Sequence, residues 1–390
     1  MTAHNSAQLS IRIAADESAF NALKPDWNAL AESANPQSVF YQHEWFDAAW
    51  QWRKTDGLLH IMCVYQQAKL IGLLPTIETC ASAYGIRVRQ LEFLSVPDTQ
   101  ACDVLAVPDA EGAVLEILFN WLASTRGWDR VQLSGLHENA RVVKHWTKWV
   151  RSRALAGQVT QNQVSLGVSL AGTWADYYAR RSRRLKKGNN LIANRLKQTW
   201  RSVELNALCP RADDPDCRRI VDEVARISAS SWKRSTGNTF DHAAPRRFLD
   251  RLSALAAERG WLQVWVLRFD GKAVASEYQL MFGDTVSALR ADYDEAYEAS
   301  SPGTYMNWKL LERLFERGRG HYNMGPGRNA YKLRWAEVTL PLSTLSVYNR
   351  TLRGRWLHLI DLWLKPRWHA IRSWRKARTS EAGDAGKDSD

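Results

Sequence analysis

The sequence predicts an α/β chain (α+β in its segregation of elements) made of two similar domains, each a mixed, mostly antiparallel sheet flanked by helices. Three observations predict it. Leu59–Thr76 (LHIMCVYQQAKLIGLLPT) can be laid over Leu262–Gln279 (LQVWVLRFDGKAVASEYQ), with Lys69 over Lys272. In both halves this hairpin leads through another strand into an amphipathic helix that ends at glycine, Gly127 or Gly320. Each half then enters a short strand and a second glycine, Gly135 or Gly325. A repeat of about 200 residues is too long for a solenoid unit and indicates a duplicated domain. The 390 residues suit two packed domains, which we place at 10–165 and 166–349, followed by a basic, tryptophan-rich helical tail (350–378) and a disordered tail (379–390).

The elements follow from periodicity. Residues 11 to 35 read as a strand and then a helix with Phe20, Leu23, Trp27 and Leu30 on one face. Phe40–Trp52 is an aromatic-rich helical stretch; Leu58–Tyr65, Leu70–Glu78 and Gln90–Leu94 are strands. Ala113–Arg126 is an amphipathic helix, and Arg130–Leu133 a strand. In the second half, Trp174–Trp200 reads as one long basic helix interrupted near Gly188, followed by helices at Ile220–Lys233 and Ala244–Arg259. Leu262–Phe269 and Ala273–Phe282 flank Asp270-Gly271, a strong hairpin signal. Thr285–Tyr293, the helix Pro302–Arg317, and strands at His321–Met324 and Leu342–Val347 complete the pattern.

Charge and cysteine usage narrow the function classes. The net charge is +12, but eight basic residues between Arg180 and Lys197 and nine between Arg350 and Arg378, the latter with one acid, account for +16 and leave −4 elsewhere. The basicity belongs to two segments rather than to a broad nucleic-acid face. Five cysteines without a Cys-x-x-Cys pair argue for a reduced compartment and against a metal site, and no histidine spacing suggests metal ligands. Met1–Ser10 lacks the apolar stretch of a signal peptide, and no apolar run approaches the ~20 residues of a membrane span. The expected location is the cytoplasm, with peripheral contact at the inner membrane through 350–378, where Trp356, Trp363, Trp368 and Trp374 alternate with Lys and Arg.

Two stretches carry chemistry. In Asp292–Leu310 (DYDEAYEASSPGTYMNWKL) a strand runs through Ser301, Pro302, Gly303 and Thr304 into a helix. The first N–H groups of a helix are unpaired and sit at the positive end of its dipole, so this start can seat a pyrophosphate. In Tyr322–Trp335 (YNMGPGRNAYKLRW) a strand ends in Gly-Pro-Gly and is followed by Arg328, Tyr331, Lys332 and Arg334, groups able to hold phosphate or protonate a leaving thiolate. Trp232 and Lys233, which end a helix before a loop, can line an acceptor pocket. No nucleophile elbow or P-loop is present.

The order of these motifs resembles the acetyltransferase family named for cellulose biosynthesis, within the GNAT superfamily, and is similar to the Fem-type aminoacyltransferases. The resemblance rests on Tyr293-Asp294-Glu295, Ser301-Pro302-Gly303, Tyr322-Asn323-Met324-Gly325 and Tyr331-Lys332-Leu333-Arg334-Trp335. It implies tandem GNAT-like domains, acyl-CoA (acetyl-CoA) as cosubstrate, and transfer to an amine or hydroxyl of a saccharide or envelope precursor. By it, Ser301–Thr304 sits at the cofactor pyrophosphate and Leu289–Tyr293 along the pantetheine. Where relatives tend to carry an acid, this chain has Asn323. Asp292, Asp294 or Glu277 is the expected base and Tyr331 or Tyr293 the expected acid; strand alternation places Asp292 and Asp294 on one side and Tyr293 on the other. An aminoacyl-tRNA donor, or an inert scaffold in a synthase complex, are the alternatives.

Overall fold

The computed structural model describes residues 9–34, 37–152, 155–318 and 320–364. The first half runs β1 (Leu9–Ala14), α1 (Glu17–Ala22), α2 (Lys24–Ser33), α3 (His43–Arg53), β2 (Gly57–Gln66), β3 (Lys69–Ala83), β4 (Ile86–Phe93), a short β5 (Leu105–Ala106), α4 (Glu111–Ser124), β6 (Arg130–His137), α5 (Arg141–Ser152) and β7 (Ala156–Ser169). The second half runs α6 (Trp174–Ala179), α7 (Arg183–Thr199), β8 (Val203–Leu208), α8 (Asp216–Ala229), α9 (Ala243–Glu258), β9 (Leu262–Phe269) and β10 (Lys272–Phe282). It continues through β11 (Thr285–Tyr293), α10 (Pro302–Glu316), β12 (His321–Pro326), α11 (Ala330–Leu333), β13 (Val338–Tyr348) and α12 (Leu352–Leu359).

The duplicated order is real. One path of strands, β1-β2-β3-β4-β6, is repeated as β8-β9-β10-β11-β12. In each copy the first four strands are antiparallel and a crossover helix, α4 or α10, leads to a strand parallel to the fourth. Both parallel pairings are brief, covering Gln90–Glu92 with Arg130–Gln132 and Thr285–Ser287 with His321–Asn323. Beyond them the paired strands part. The halves then exchange their last strands: β13 pairs with β6, β7 pairs with β12, and β7 and β13 pair with each other. The result is one continuous sheet.

Local chemistry explains most boundaries. Asp270 and Gly271 have φ of 47° and 80°, the left-handed pair that a two-residue hairpin requires. The basic stretch 174–200 is two helices and not one long helix broken near Gly188. The hydroxyl of Ser182 accepts from Leu185 N–H at 3.2 Å and starts α7 afresh, while Gly188 lies inside that helix.

Apolar side chains fill three main clusters. One joins the halves, because α3 packs on α9 with Trp45 edge-on to Phe248 at 5.5 Å. A buried ion pair reinforces that junction: Arg290 of β11 donates through two nitrogens to Asp98, both at 2.8 Å, with its guanidinium 4.2 Å from the Phe240 ring centre. The predicted tail is described only to residue 364, as α12 and a π-helical turn at Ile360–Leu364. Its continuation to 378, and the tail 379–390 expected to be disordered, lie outside the described residues.

Candidate functional site

Where β11 and β12 part, the second half has an opening. In the first half the chain from Leu94 to Cys102 follows β4: Leu94 N–H donates to Pro75 O of β3 at 2.9 Å and Cys102 N–H to Gly135 O of β6 at 3.1 Å. Gln100 of that segment reaches across and donates to Ala288 O on β11 at 2.6 Å, closing the floor of the second-half opening. A register shift between Tyr278 and Gln279 accompanies the departure of β11, as bulges do when they bend a strand.

The opening holds a cavity of ≈ 120 Å³ whose chemical walls are Trp232, Lys233, Glu277, Tyr322, Tyr331 and Lys332. Glu277 is buried on β10 and accepts from Tyr322 OH and Gln279 Nε2, both at 2.6 Å. Burial raises its pKa, opposed by those two bonds and by Lys332 and Lys233. Lys332 donates to Pro326 O at 2.8 Å and Gly325 O at 3.3 Å. Burial first, then the neighbouring Lys233, lowers its pKa to about 8, against the pull of Glu277. The Tyr331 phenol is pushed up by burial and then by Glu277 and Asp292, so it stays protonated. Lys233 pairs with the buried Asp292 at 2.6 Å and donates to Ala291 O at 3.1 Å.

The other expected residues lie apart from this cavity. Register puts Glu277 opposite Ala291 and Ser276 opposite Asp292, so the two acids project from opposite faces of the ladder. Asp294 shares the Asp292 face. It caps the turn 295–300 by accepting from Ala296 N–H at 3.1 Å and faces Arg226 of α8 at 3.9 Å. Tyr293 turns toward α10, where its ring lies against Gly303; a Cβ there would sit 3.2 Å from it. Ser301 takes φ 54° ahead of Pro302 at the start of α10. Ser301 and Thr304 line a second, larger cavity of ≈ 690 Å³ between α7 and α10, with Arg184, Lys187 and Arg334 around it. Arg328 borders a third opening against β7.

Two participants carry no assignment from the sequence. Tyr322 stands in the quoted motif, and its alternation with Met324 on β12 is the signal that would have turned it inward. Gln100 leaves no signal, because its contact spans 188 residues. Arg334, one of the phosphate-holding groups named from the sequence, lines the α7–α10 cavity with Arg184 and Lys187. Asn323 serves the backbone: its Oδ1 accepts from Ser165 OH at 3.1 Å and Gly325 N–H at 3.0 Å.

A family model described as an acetyltransferase (GNAT) domain matches residues 192–333, which contain the walls of the smaller cavity and, of the larger one, Ile192, Ser301 and Thr304. The match lies within the second half and covers 142 of the 390 residues. No curated protein matches the chain. Among solved structures, it is similar to FemX (TM-score 0.55, 8% identity, covering 87% of this chain and 98% of that one). The C-terminal domain of a putative lysylphosphatidylglycerol synthetase from Agrobacterium fabrum is also similar (TM-score 0.53, 12% identity, 87% and 96% covered). So is a conserved protein of unknown function from Bacteroides thetaiotaomicron VPI-5482 (TM-score 0.52, 12% identity, 87% and 100% covered). At such identities the likeness is one of fold, and it extends beyond the GNAT domain to both halves.

Proposed function

We propose that the chain transfers an acyl group, acetyl in the first instance, from acyl-CoA to an amine or hydroxyl of a saccharide or cell-envelope precursor. The observation that carries this reading is the convergence of Glu277, Tyr331 and Lys332 on the opening between β11 and β12. The acceptor's nucleophile attacks the thioester carbonyl; a C–N or C–O bond forms and the C–S bond breaks. Glu277, made more basic by burial, takes the acceptor proton through Tyr322 or a water. The Lys332 ammonium, held by two carbonyls, faces the charge that develops on the carbonyl oxygen. Tyr331 protonates the leaving thiolate. The N-terminus of α10 with Arg184, Lys187 and Arg334 seats the donor's phosphates, and exposed Trp232 lines the acceptor side.

Calorimetric titration with acetyl-CoA, beside Gly303→Asp, tests the donor site. The wild type is expected to bind, and the variant to lose at least about tenfold in affinity, about 1.4 kcal/mol, because a carboxylate then stands at the helix start. No binding to any acyl-CoA would remove the donor assignment. The second reading, an aminoacyl-tRNA donor, is favoured by the unbalanced charge of α7; salt-sensitive tRNA binding in place of acyl-CoA binding would establish it.

Peripheral contact with a membrane through residues 350–378 belongs to the same reading. Among the described residues no helix is long and apolar enough to cross a membrane. On α12 and the turn after it, Leu352, Trp356, Leu359 and Leu362 are exposed at helical spacing, flanked by Arg353 and Arg355. Leu357 and Ile360 pack inward. Vesicles containing anionic lipid are expected to float the wild type, and Trp356→Ser with Leu359→Ser to reduce the bound fraction severalfold. Equal flotation of both proteins would sink the idea.

A further inference from the structure

A second built cavity lies on the far side of the exchanged strands. Its floor is one face of β6, β13 and β7, opposite the face that buries Val131, Leu133, Leu345 and Val347. Register aligns Gln132 with Ser346 and Ser346 with Gln158 across three strands, and Thr344 with Thr160 beside them. With Asn162 these residues line an open groove of ≈ 340 Å³. Charged residues make up 24% of the chain. Exposed sheet faces usually draw on them, yet the floor is entirely amide and hydroxyl. The two charges at its edge are already neutralised: Asp361 lies 3.7 Å from Arg130 and accepts from Tyr84 OH at 2.6 Å and Tyr348 OH at 2.7 Å.

The floor is partly internally bonded and partly open. Asn162 Nδ2 donates to Thr344 Oγ1 at 3.0 Å, and Thr344 to Ser134 at 3.1 Å. Among the described residues no protein group hydrogen-bonds the side chains of Gln132, Thr160 or Ser346. The wall opposite is an aromatic ring held at some expense. Tyr84 has φ 50° ahead of Gly85 at φ 80°, a hairpin position that Asn or Gly fills more easily. Its ring is exposed over the groove rather than packed.

We infer that this groove binds the neutral, polyhydroxylated part of the acceptor: an uncharged oligosaccharide chain. Amides and hydroxyls supply both donors and acceptors to sugar hydroxyls, and an exposed ring offers an apolar face to a sugar ring. The groove also points the right way. Asn162 lines the next opening as well, ≈ 270 Å³, whose far wall is Gly327 and Arg328. Arg328 adjoins Asn329 at the rim of the GNAT cleft. From Gln158 to Val164 this track follows β7 for about 20 Å, so it suits a chain of several units and not one sugar. The inference rests on the saccharide-acceptor reading above and names the surface that recognises it.

The test is calorimetric titration of the full chain with short neutral oligomers of glucose and of N-acetylglucosamine, and with a polyuronate of similar length. Thr160→Lys and Tyr84→Asn are the variants; asparagine tolerates positive φ, so the second keeps the hairpin while removing the ring. A neutral oligomer is expected to bind, each variant to weaken it at least about tenfold, about 1.4 kcal/mol, and acetyl-CoA affinity to stay unchanged. The inference is overturned by no neutral binding at millimolar ligand, by variants that bind like the wild type, or by preference for the polyuronate. Saccharide binding without acetyl-CoA binding would leave the groove standing and remove the donor reading alone.

Discussion

Lys332→Met is expected to lower turnover by about 10²–10³-fold with little change in acyl-CoA affinity, because it removes one preorganised cation from the developing oxyanion and nothing from the phosphate seat. Full turnover in the variant would show that the ammonium does no chemistry. The same residue predicts a pH signature. The ammonium form is needed, so wild-type activity is expected to fall as pH rises through about 8. Stability moves the opposite way. The folded pKa lies below the ordinary value of 10.5, at about 8, so between those values the unfolded chain binds more protons and folding gains stability as pH increases. A shift of that size is worth up to about 3 kcal/mol. Thermal unfolding from pH 7.5 to 10.5 is expected to show this gain in the wild type, and Lys332→Met to lack it. Identical pH slopes in the two proteins would mean that Lys332 is not buried as a charge.

Asp98→Ala is expected to cost about 3–5 kcal/mol in denaturant unfolding. It leaves the Arg290 guanidinium buried beside Phe240 with the Asn238 carbonyl as its remaining oxygen partner. Replacing the pair together, Asp98→Leu with Arg290→Met, is expected to recover most of the loss, since the penalty comes from an orphaned charge rather than from a missing attraction. A single variant within about 0.5 kcal/mol of the wild type would contradict the burial of this pair. Because Arg290 lies on β11 between two residues of the cleft edge, the double variant also reports how firmly the junction between halves holds that edge.

Much of this was legible in the sequence, and the reasons differ by element. The hairpins were readable because β9, β10 and their Asp270-Gly271 turn combine apolar runs with a left-handed turn pair. The helix starting at Pro302 was readable because proline and small residues mark a first turn. β7 was not. Its stretch 157–163 (GQVTQNQ) offers a single Val and no apolar alternation, and β12 and β13 on its two flanks hold it extended. β8 was missed for the same reason: a six-residue edge strand is fixed by β9 and not by its own pattern. At the site, the residue types after the Gly-Pro-Gly were legible, but their grouping was not. Local sequence cannot say that Glu277 meets Tyr322, or that Asp294 turns away to cap a loop, because strand register and the parting of β11 from β12 decide both.

The exchange of final strands has a further consequence, for ancestry and for dissection of the chain. β7 and β13 run antiparallel about a pseudo-twofold axis that crosses them at right angles, and each completes the sheet begun by the opposite half. This is the arrangement that a strand-swapped homodimer takes when its two copies are joined into one polypeptide. Such a molecule is a covalent dimer rather than a pair of beads. Severed near its middle, it yields complementary fragments that need each other for a closed sheet.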